Sequence, residues 1–224
     1  MKKKYILTLL FSFLFAFSFQ AQVTVGTGDV ESEEMPIEPY YKFSYSQVIY
    51  HAGEINASGT ITGLKYTATE ETTLANSDGW TIYMGHTSLD QHLVESGSTT
   101  VNWVDISELT QVFSGTVTIA NQEVSITLDT PFEYNGTDNL IVSVNETSNV
   151  NDQYDSSSHD FYCTESTGSY RGLVYYTDSQ TIGPIDTSSL PAVTSGNRRQ
   201  SYANITFEGI TQSCENPTAI VVDN

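Results

Sequence analysis

The stretch formed by residues 103–144 constrains the fold of this chain more than any other part of the sequence. It holds short runs of β-branched and apolar residues separated by Gly, Asn, Asp and Pro, with no sustained helical period. It contains two strand-like runs, a Pro-aromatic corner, a tight turn and a third run, at residues 115–119, 123–128, 131–134, 135–139 and 140–144. Runs of this kind are typical of strands joined by short turns. The stretch therefore predicts an antiparallel β-sandwich.

Comparable runs lie on both sides of this stretch. Earlier candidate strands occupy residues 40–50, 59–69 and 80–84, and later ones occupy residues 161–163, 173–177 and 202–208. Aromatic residues make up 12% of the chain and charged residues only 16%, a balance that is typical of a folded domain and not of a disordered one. We expect one all-β domain over residues 38–210, with a leader or linker at residues 22–37.

Alternation within two of these runs predicts which side chains share a face. In a strand, every second side chain points to the same side of the sheet. The run at 80–84 places Trp80, Ile82 and Met84 on one face, which predicts that these three side chains lie in the core. The first run likewise aligns four side chains, those of Phe43, Tyr45, Gln47 and Ile49.

The first 21 residues have the three regions of a secretory signal peptide. Three lysines at positions 2–4 form a basic start, residues 5–19 are mostly apolar, and Ala21 lies in a small-residue cleavage zone. The apolar run is shorter than the roughly 20 residues that a membrane-spanning helix needs. We expect a removed signal peptide over residues 1–21 and a secreted, extracellular or cell-surface protein without membrane insertion.

The charge of the chain argues against one class of partner. The sequence has 27 acidic residues and 8 Lys or Arg, for a formal net charge of −19. Three of the basic residues lie in the expected signal peptide, so its removal brings the charge to −22. Nucleic acids and anionic lipids are bound by clustered Lys and Arg. We therefore expect no nucleic-acid partner.

The order and spacing of several short motifs resemble those of a known type of domain. The motifs are YSQVIY at residues 45–50, GTITGL at 59–64, IYMGHT at 82–87, WV at 103–104, VFSG at 112–115 and PFEYNGTDNLIVSV at 131–144. Together they make residues 40–209 similar to the non-catalytic, jelly-roll-like β-sandwich domains of secreted, Flavobacteria-type multidomain proteins of the Bacteroidetes. The resemblance implies an accessory domain with an adhesive or substrate-targeting role. It assigns no individual binding residues.

The last residues resemble the start of a different module. Residues 210–220 (ITQSCENPTAI) are similar to the opening of a fibronectin type III module, in which a Pro precedes the first apolar strand. We expect residues 211–224 to be a linker and the truncated start of such a module. Downstream domains of the same polypeptide would then be partners of this one.

The sequence contains no assembled catalytic motif. It has no G-x-S-x-G elbow, no H-E-x-x-H zinc helix and no phosphate-binding Gly loop with Lys. Cys163 and His159 come closest to a nucleophile and a base. They are four residues apart in a strand-and-loop region, which gives their side chains no reason to meet, and covalent catalysis requires hydrogen-bond reach. We expect no catalytic residues and no enzymatic activity.

The two cysteines leave two pairings open. In the oxidising environment outside the cell, an even count favours a disulfide between Cys163 and Cys214. Cys214 also lies at the start of the expected next module, where it can pair with a residue beyond Asn224.

An oxygen-rich connection, residues 145–160, is the candidate metal site. Calcium takes roughly six to eight oxygen ligands, which clustered carboxylates, amides and loop carbonyls can supply. The candidate ligands are Asn145, Glu146, Asp152, Asp155 and Asp160. Their spacing does not match an EF-hand. The alternative is a solvated polar loop without metal, and we expect no other cofactor.

Aromatic residues supply the candidate ligand-binding surface. Sugar rings present C–H groups that stack on the electron-rich faces of exposed aromatic side chains, while neighbouring polar groups bind the hydroxyls. Trp80 and Trp103 are natural first choices for such a platform, but Trp80 is expected in the core. The adjacent Tyr175 and Tyr176 must point to opposite faces of a strand, so one of them faces outward. The predicted patch comprises Tyr154, Tyr170, Arg171, Tyr175, Tyr176 and Asp178, within a wider aromatic set that includes Tyr40, Tyr41, Phe161 and Tyr162.

Taken together, these features favour a non-catalytic extracellular binding module that attaches a larger secreted protein to a carbohydrate or a cell surface. The alternative is a purely structural spacer or a protein-adhesion domain of a secreted hydrolase. A binding module requires exposed aromatic side chains beside polar groups, whereas a spacer requires only a smooth acidic surface. An enzyme requires a pocket in which a nucleophile and a base are in contact.

Overall fold

The computed structural model describes residues 21–31, 34–71, 74, 76–147, 161–179 and 186–212. Within this part of the chain, 53% of the residues lie in strands and 6% in helices, which confirms the predicted all-β class. The strands are β1 (Gln22–Val25), β2 (Phe43–Tyr50), β3 (Ala57–Thr67), β4 (Gly79–Thr87), β5 (Thr100–Val101), β6 (Thr110–Thr116), β7 (Ile119–Ala120), β8 (Glu123–Tyr134), β9 (Asn139–Glu146), β10 (Cys163–Glu165), β11 (Gly172–Thr177), β12 (Val193–Thr194), β13 (Arg198–Arg199), β14 (Ser201–Ala203), β15 (Ile205–Glu208) and β16 (Thr211–Gln212). The helices are one α-helical turn, α1 (Ala52–Ile55), and two 3-10 turns, Ile106–Glu108 and Ser195–Asn197.

The strands form two large antiparallel sheets that pack face to face. Sheet A has the order β1-β15-β3-β8-β7, and β16 also pairs with β3. Sheet B has the order β13-β11-β2-β9-β4-β6. The central strands pair with partners that are distant in sequence, since β2 lies between β9 and β11 and β3 lies between β8 and β15. The result is an antiparallel, jelly-roll-like β-sandwich.

The main hydrophobic core fills the space between the two sheets. Trp80, Ile82 and Met84 are fully buried there, as their alternation on β4 predicts. The Trp80 ring packs edge-on against Tyr66 of sheet A, with 6.0 Å between ring centroids. Sheet A also contributes Val23, Val25, Ile61, Leu64, Val124, Ile126, Ile205 and Phe207, and sheet B contributes Val48, Tyr50, Val112, Leu140, Val142, Val144 and Val174. Burial of this apolar surface holds the sandwich together.

The segment predicted as a leader supplies an edge strand and core side chains. β1 pairs with β15 at the edge of sheet A, and Val23 and Val25 are each only 2% exposed. Met35 and Ile37, further along the same segment, are equally buried. At the other end, β16 pairs with β3, and residues 213–224 lie outside the described residues.

The residues predicted as a Pro-aromatic corner lie within a continuous strand. The pairing of β8 with β3 shifts register between Thr127, opposite Gly63, and Phe132, opposite Ile61. Pro131 falls in the resulting bulge of β8, where its missing N–H removes no bond of the ladder. The preceding predicted run, residues 115–119, is divided between the end of β6 and the start of β7. A bulged strand therefore replaces the expected corner.

The turn between β8 and β9 carries the chain from sheet A to sheet B and has the predicted chemistry. Gly136 has a φ of +74°, in the left-handed region that favours glycine. The Asn135 Oδ1 accepts the backbone N–H groups of Thr137 and Asp138 at 2.9 and 3.0 Å. The Asn135 side-chain amide also donates to the Asp138 carboxylate at 2.7 Å.

Strand β2 is buried on both faces, unlike the strands of sheet A. All eight of its residues are buried. Its inner face packs on the core, and its outer face is covered by residues 94–109 and 190–194, which we call the outer layer. In one contact cluster Phe43 and Tyr45 of β2 meet Trp103 and Leu190 of that layer. A second cluster joins Val101, Val193 and Leu173.

The side-chain amide of Gln47 joins the outer layer to sheet B by hydrogen bonds. Gln47 is fully buried on the outer face of β2. Its Nε2 donates to the Val104 carbonyl at 2.9 Å, and its Oε1 accepts the Val104 N–H at 2.9 Å. The same Nε2 donates to the Tyr45 hydroxyl at 3.2 Å. One side chain thereby satisfies both backbone polar groups of Val104, as a neighbouring strand would.

We predict that Gln47→Ala destabilises the fold by about 1–3 kcal/mol, because it leaves the partly buried backbone polar groups of Val104 without their partner. Urea unfolding measures this change directly. The matched control is Gln111→Ala, since Gln111 is exposed on β6 and its replacement should change the unfolding free energy by less than about 0.5 kcal/mol. Equal effects of the two substitutions would contradict the role assigned to Gln47.

Candidate functional site

The residues predicted to bind a ligand do not form one continuous patch. Tyr154 lies outside the described residues. The other five lie on β11 or within two residues of it. Their side chains nevertheless have three different surroundings: the interior near α1, the outer face of sheet B, and the end of β11 beside residues 38–42.

Arg171 lies in the interior and is only 2% exposed. Its Nη2 and Nη1 lie 2.7 and 2.9 Å from the two carboxylate oxygens of Glu54, and its Nε donates to the Ile49 carbonyl at 2.9 Å. The guanidinium also lies 3.6 Å from the centre of the Tyr202 ring. Burial pushes the pKa of Glu54 up, but the hydrogen bond and charge of Arg171 outweigh burial and hold the pKa below its ordinary value. Arg171 therefore ties α1 to β2 and β14 inside the domain.

Tyr170 is half-buried and also belongs to an internal contact. The Arg198 guanidinium lies 3.7 Å from the centre of the Tyr170 ring. The Tyr170 carbonyl accepts the backbone N–H of His92 at 2.8 Å, and its own N–H donates to the Gln91 side chain at 3.2 Å. These contacts connect β11 to the chain that leads into the outer layer.

Tyr175 and Tyr176 occupy opposite faces of β11, as strand alternation requires. Tyr176 packs against the main core at the end of sheet B. Tyr175 packs against the outer-face cluster that contains Tyr45 and Trp103. Both side chains are partly exposed. One strand end thus contributes an aromatic ring to each of two surfaces.

The first surface is a stack of tyrosines, which we call the tyrosine patch: Tyr40, Tyr41 and Tyr176. The rings of Tyr41 and Tyr176 stack with 4.2 Å between centroids and 27° between planes. Tyr40 packs edge-on against Tyr41 at 5.4 Å and is 42% exposed. The Asp178 carboxylate accepts the Lys42 backbone N–H at 3.3 Å at the margin of this patch. The result is an aromatic surface bordered by acidic groups.

Burial and the acidic border both act on the Tyr41 hydroxyl. Burial raises the pKa of the Tyr41 hydroxyl, and Tyr176, Asp178 and Glu38 raise it further. Tyr41 therefore keeps its proton at neutral pH. Its hydroxyl can therefore donate a hydrogen bond to an oxygen of a neutral polyol or accept one from a hydroxyl of the polyol.

Trp103 is the aromatic residue that the predicted patch left out. Its ring is partly exposed on the outer layer and packs edge-on against Tyr45, with 5.0 Å between centroids. Trp80, the other tryptophan, is fully buried as expected. An isolated Trp in a polar connection is the sequence signal that points to Trp103, whereas the residue that holds it in place, Gln47, gives no such signal.

Of the residues predicted to bind calcium, Asp152, Asp155 and Asp160 lie outside the described residues. Asn145 and Glu146 are both buried at the end of β9. The Ser44 hydroxyl donates to the Glu146 carboxylate at 2.7 Å. Among the described residues, no group of three or more His, Cys, Asp or Glu side chains is arranged to hold a metal. The calcium hypothesis stays a prediction.

The cysteine predictions depend on residues outside the described part of the chain. Cys163 is fully buried, and its Sγ lies 3.8 and 3.7 Å from the carbonyl oxygens of Met35 and Phe161. Cys214 and His159 are not among the described residues. The disulfide between Cys163 and Cys214 therefore stays a prediction.

The helices of the described residues are single turns, and none of them has the length and apolar composition of a membrane-spanning segment.

No protein-family model matches this chain, and no curated protein matches it.

His92, next to the Tyr170 contact, is a buried titratable group. It is 1% exposed, and neither ring nitrogen makes a well-formed hydrogen bond with the described residues. Burial lowers the pKa of His92 to about 4; the Gln47 backbone opposes this shift, and the positive charge of Arg198 adds to it. The imidazole is therefore neutral at pH 7.

We predict that acid destabilises the fold through His92. The unfolded state takes up the proton near pH 6.5, whereas the folded state takes it up only near pH 4. Stability is therefore fully present above pH 6.5 and is lost as the pH falls towards 4, by a total on the order of 3 kcal/mol. Urea unfolding across this range should show that His92→Leu flattens the pH dependence.

The matched control for this experiment is His51→Gln. His51 is partly exposed and its ring donates to the Asp90 carbonyl at 2.8 Å, so it lies at the surface and not in the interior as His92 does. The control should keep the pH dependence of the unmodified protein. An unchanged slope in His92→Leu would show that other groups cause the loss of stability.

Proposed function

We propose that this domain is a non-catalytic extracellular binding module that holds a larger secreted protein onto a neutral glycan or a cell surface. The observation that carries the proposal is the tyrosine patch, in which the half-exposed Tyr40 extends a stacked pair of rings beside acidic side chains. The predicted export signal and the resemblance to accessory β-sandwich domains support the same function.

The chemistry of the tyrosine patch suits a carbohydrate. The C–H groups on one face of a sugar ring carry partial positive charge and are attracted to the negative face of an aromatic ring. The carboxylates of Glu38 and Asp178 lie next to the rings and can accept hydrogen bonds from sugar hydroxyls. Tyr40 is also one of the two large apolar side chains that are exposed within the described residues, the other being Leu93.

The charge of the chain selects among glycans. The formal net charge is −19 for the whole chain and −22 without the expected signal peptide, which repels sulfated or uronic-acid polysaccharides and favours uncharged ones. A small open patch of this kind, acting alone, binds its glycan weakly. Neighbouring modules of the full-length protein would add avidity, because a second attachment becomes intramolecular.

We predict that Tyr40→Ala and Tyr41→Ala each weaken retention on a neutral polysaccharide by about two- to tenfold, as loss of one aromatic contact does. Affinity gel electrophoresis with xylan, galactomannan and hydroxyethyl cellulose, and pull-down with insoluble chitin and cellulose, measure retention. The matched control is Leu93→Ala, which removes an apolar side chain that is 61% exposed but not part of the tyrosine patch. This control should bind as the unmodified protein does.

Two outcomes would overturn the proposal. Absence of retention on every polysaccharide and on intact cells would favour the alternative function, a structural spacer. Hydrolysis of any of these polysaccharides by the purified domain would contradict its non-catalytic character.

A further inference from the structure

A cavity with mixed aromatic and polar walls opens on the outer layer. Its volume is about 230 Å³. Residues 102–106 of the outer layer form one wall, and residues 187–190 form the other. The lining residues are Asn102, Trp103, Asp105, Ile106, Thr187, Ser188 and Leu190. None of these lining residues is basic. The cavity is separate from the tyrosine patch, with which it shares no residue.

The aromatic wall of this cavity is held rigidly. The Trp103 Nε1–H donates to the Pro191 carbonyl at 2.8 Å, and the Tyr45 ring supports the indole edge-on. The next residue, Val104, is fixed by its two hydrogen bonds with the Gln47 side chain. Because its one donor is already used, the indole can offer a ligand only its ring surface. A pre-positioned ring loses little freedom on binding.

The polar wall is fixed in a similar way. The Asn102 Nδ2 donates to Glu95 at 2.7 Å, which holds the amide in one orientation. Asp105 accepts the backbone N–H and the hydroxyl of Ser107 at 2.8 and 2.6 Å through its Oδ1. These bonds lower the pKa of Asp105, so it is ionised at neutral pH. An ionised carboxylate has more acceptor sites than these two bonds occupy.

We propose that this cavity is a second carbohydrate site, which binds one neutral sugar ring, such as a hexose or an N-acetylhexosamine at a chain end. This inference rests on the proposed function and adds to it a class of ligand. A cavity of 230 Å³ is smaller than the roughly 300–1,000 Å³ that drug-sized ligands occupy, so it holds one ring and not an oligosaccharide. The indole supplies a stacking surface, and Asp105 and Asn102 supply polar groups for vicinal hydroxyls.

The composition of the walls excludes the main competing ligands. An anionic ligand would meet Asp105 without any Lys or Arg among the lining residues. A purely apolar ligand would shield Asn102, Asp105 and Ser188 from water and could not bond to the acceptor sites that their internal hydrogen bonds leave open, at a cost in affinity. A neutral polyol with one apolar face avoids both penalties.

The two tryptophans make the test unusually direct. In a ¹⁵N-labelled sample they give two indole N–H signals, one from Trp103 at the cavity and one from Trp80, which is fully buried and bonded to the Ser77 carbonyl at 2.8 Å. The probes are D-glucose, D-galactose, D-mannose and N-acetyl-D-glucosamine, each titrated at millimolar concentrations. We expect at least one of them to shift the Trp103 signal saturably and to leave the Trp80 signal in place. The Trp80 signal also reports that each variant is folded.

Substitutions on the polar wall provide the second measurement. Asn102→Ala and Asp105→Asn should each weaken the affinity for the sugar that shifts the Trp103 signal by about threefold to tenfold, the effect of one lost hydrogen bond. Tyr40→Ala should leave the Trp103 titration unchanged, because that residue belongs only to the tyrosine patch.

The outcomes separate this inference from the proposed function. A stationary Trp103 signal with all four sugars, together with polysaccharide retention that Tyr40→Ala weakens, would overturn the second site and leave the proposed function standing. A stationary signal together with no retention on any polysaccharide would overturn both. A shift that Asn102→Ala and Asp105→Asn leave unchanged would show that the sugar binds elsewhere.

Discussion

The burial of strand β2 on both faces is the constraint on which the rest of the domain depends. A strand in this position must satisfy its polar side chains inside the protein, because each unpaired one would cost about 1–3 kcal/mol. Ser44 donates to Glu146 of β9, Ser46 donates to the Pro36 carbonyl, and Gln47 binds Val104. These three bonds reach β9, the N-terminal segment and the outer layer. The side chains of one strand thereby bond to a neighbouring strand, to the N-terminal segment and to the outer layer.

This constraint also determines where the aromatic surfaces lie. Because Gln47 fixes Val104, the neighbouring Trp103 projects from a rigid layer and not from a free loop. Strand β11 pairs with β2, and its last residues alternate between the two faces, so Tyr176 joins the tyrosine patch and Tyr175 joins the Trp103 cluster. Both candidate binding surfaces are therefore built on the same pair of strands.

The alternation of side chains in the sequence shows which residues share a face of a strand. It does not show which part of the chain covers that face. The alternation of Trp80, Ile82 and Met84 correctly predicts a core face, because an apolar face of a sandwich has an obvious partner sheet. The same alternation in β2 identifies a shared face, but only the three-dimensional structure shows that the outer layer buries it. The sequence places Arg171 at a surface for a similar reason: its partner Glu54 is distant in sequence, so no local pattern reveals the ion pair. Pro131 suggests a corner in the sequence, whereas it lies in a bulge of β8. The bulge depends on the register of the opposite strand, which the sequence does not show.

The central claim is that one end of the β2–β11 pair binds neutral carbohydrate without catalysis. Mapping backbone amide chemical shifts during titration with a soluble neutral oligosaccharide, such as cellotetraose, mannotetraose or chitotetraose, tests it most directly. The account predicts shifts confined to residues 38–42, 102–106, 176–178 and 187–190, with the oligosaccharide recovered intact. Shifts centred on the outer face of sheet A, where Lys65 pairs with Glu123 and Glu208, would contradict the account, as would no shift with any of the three.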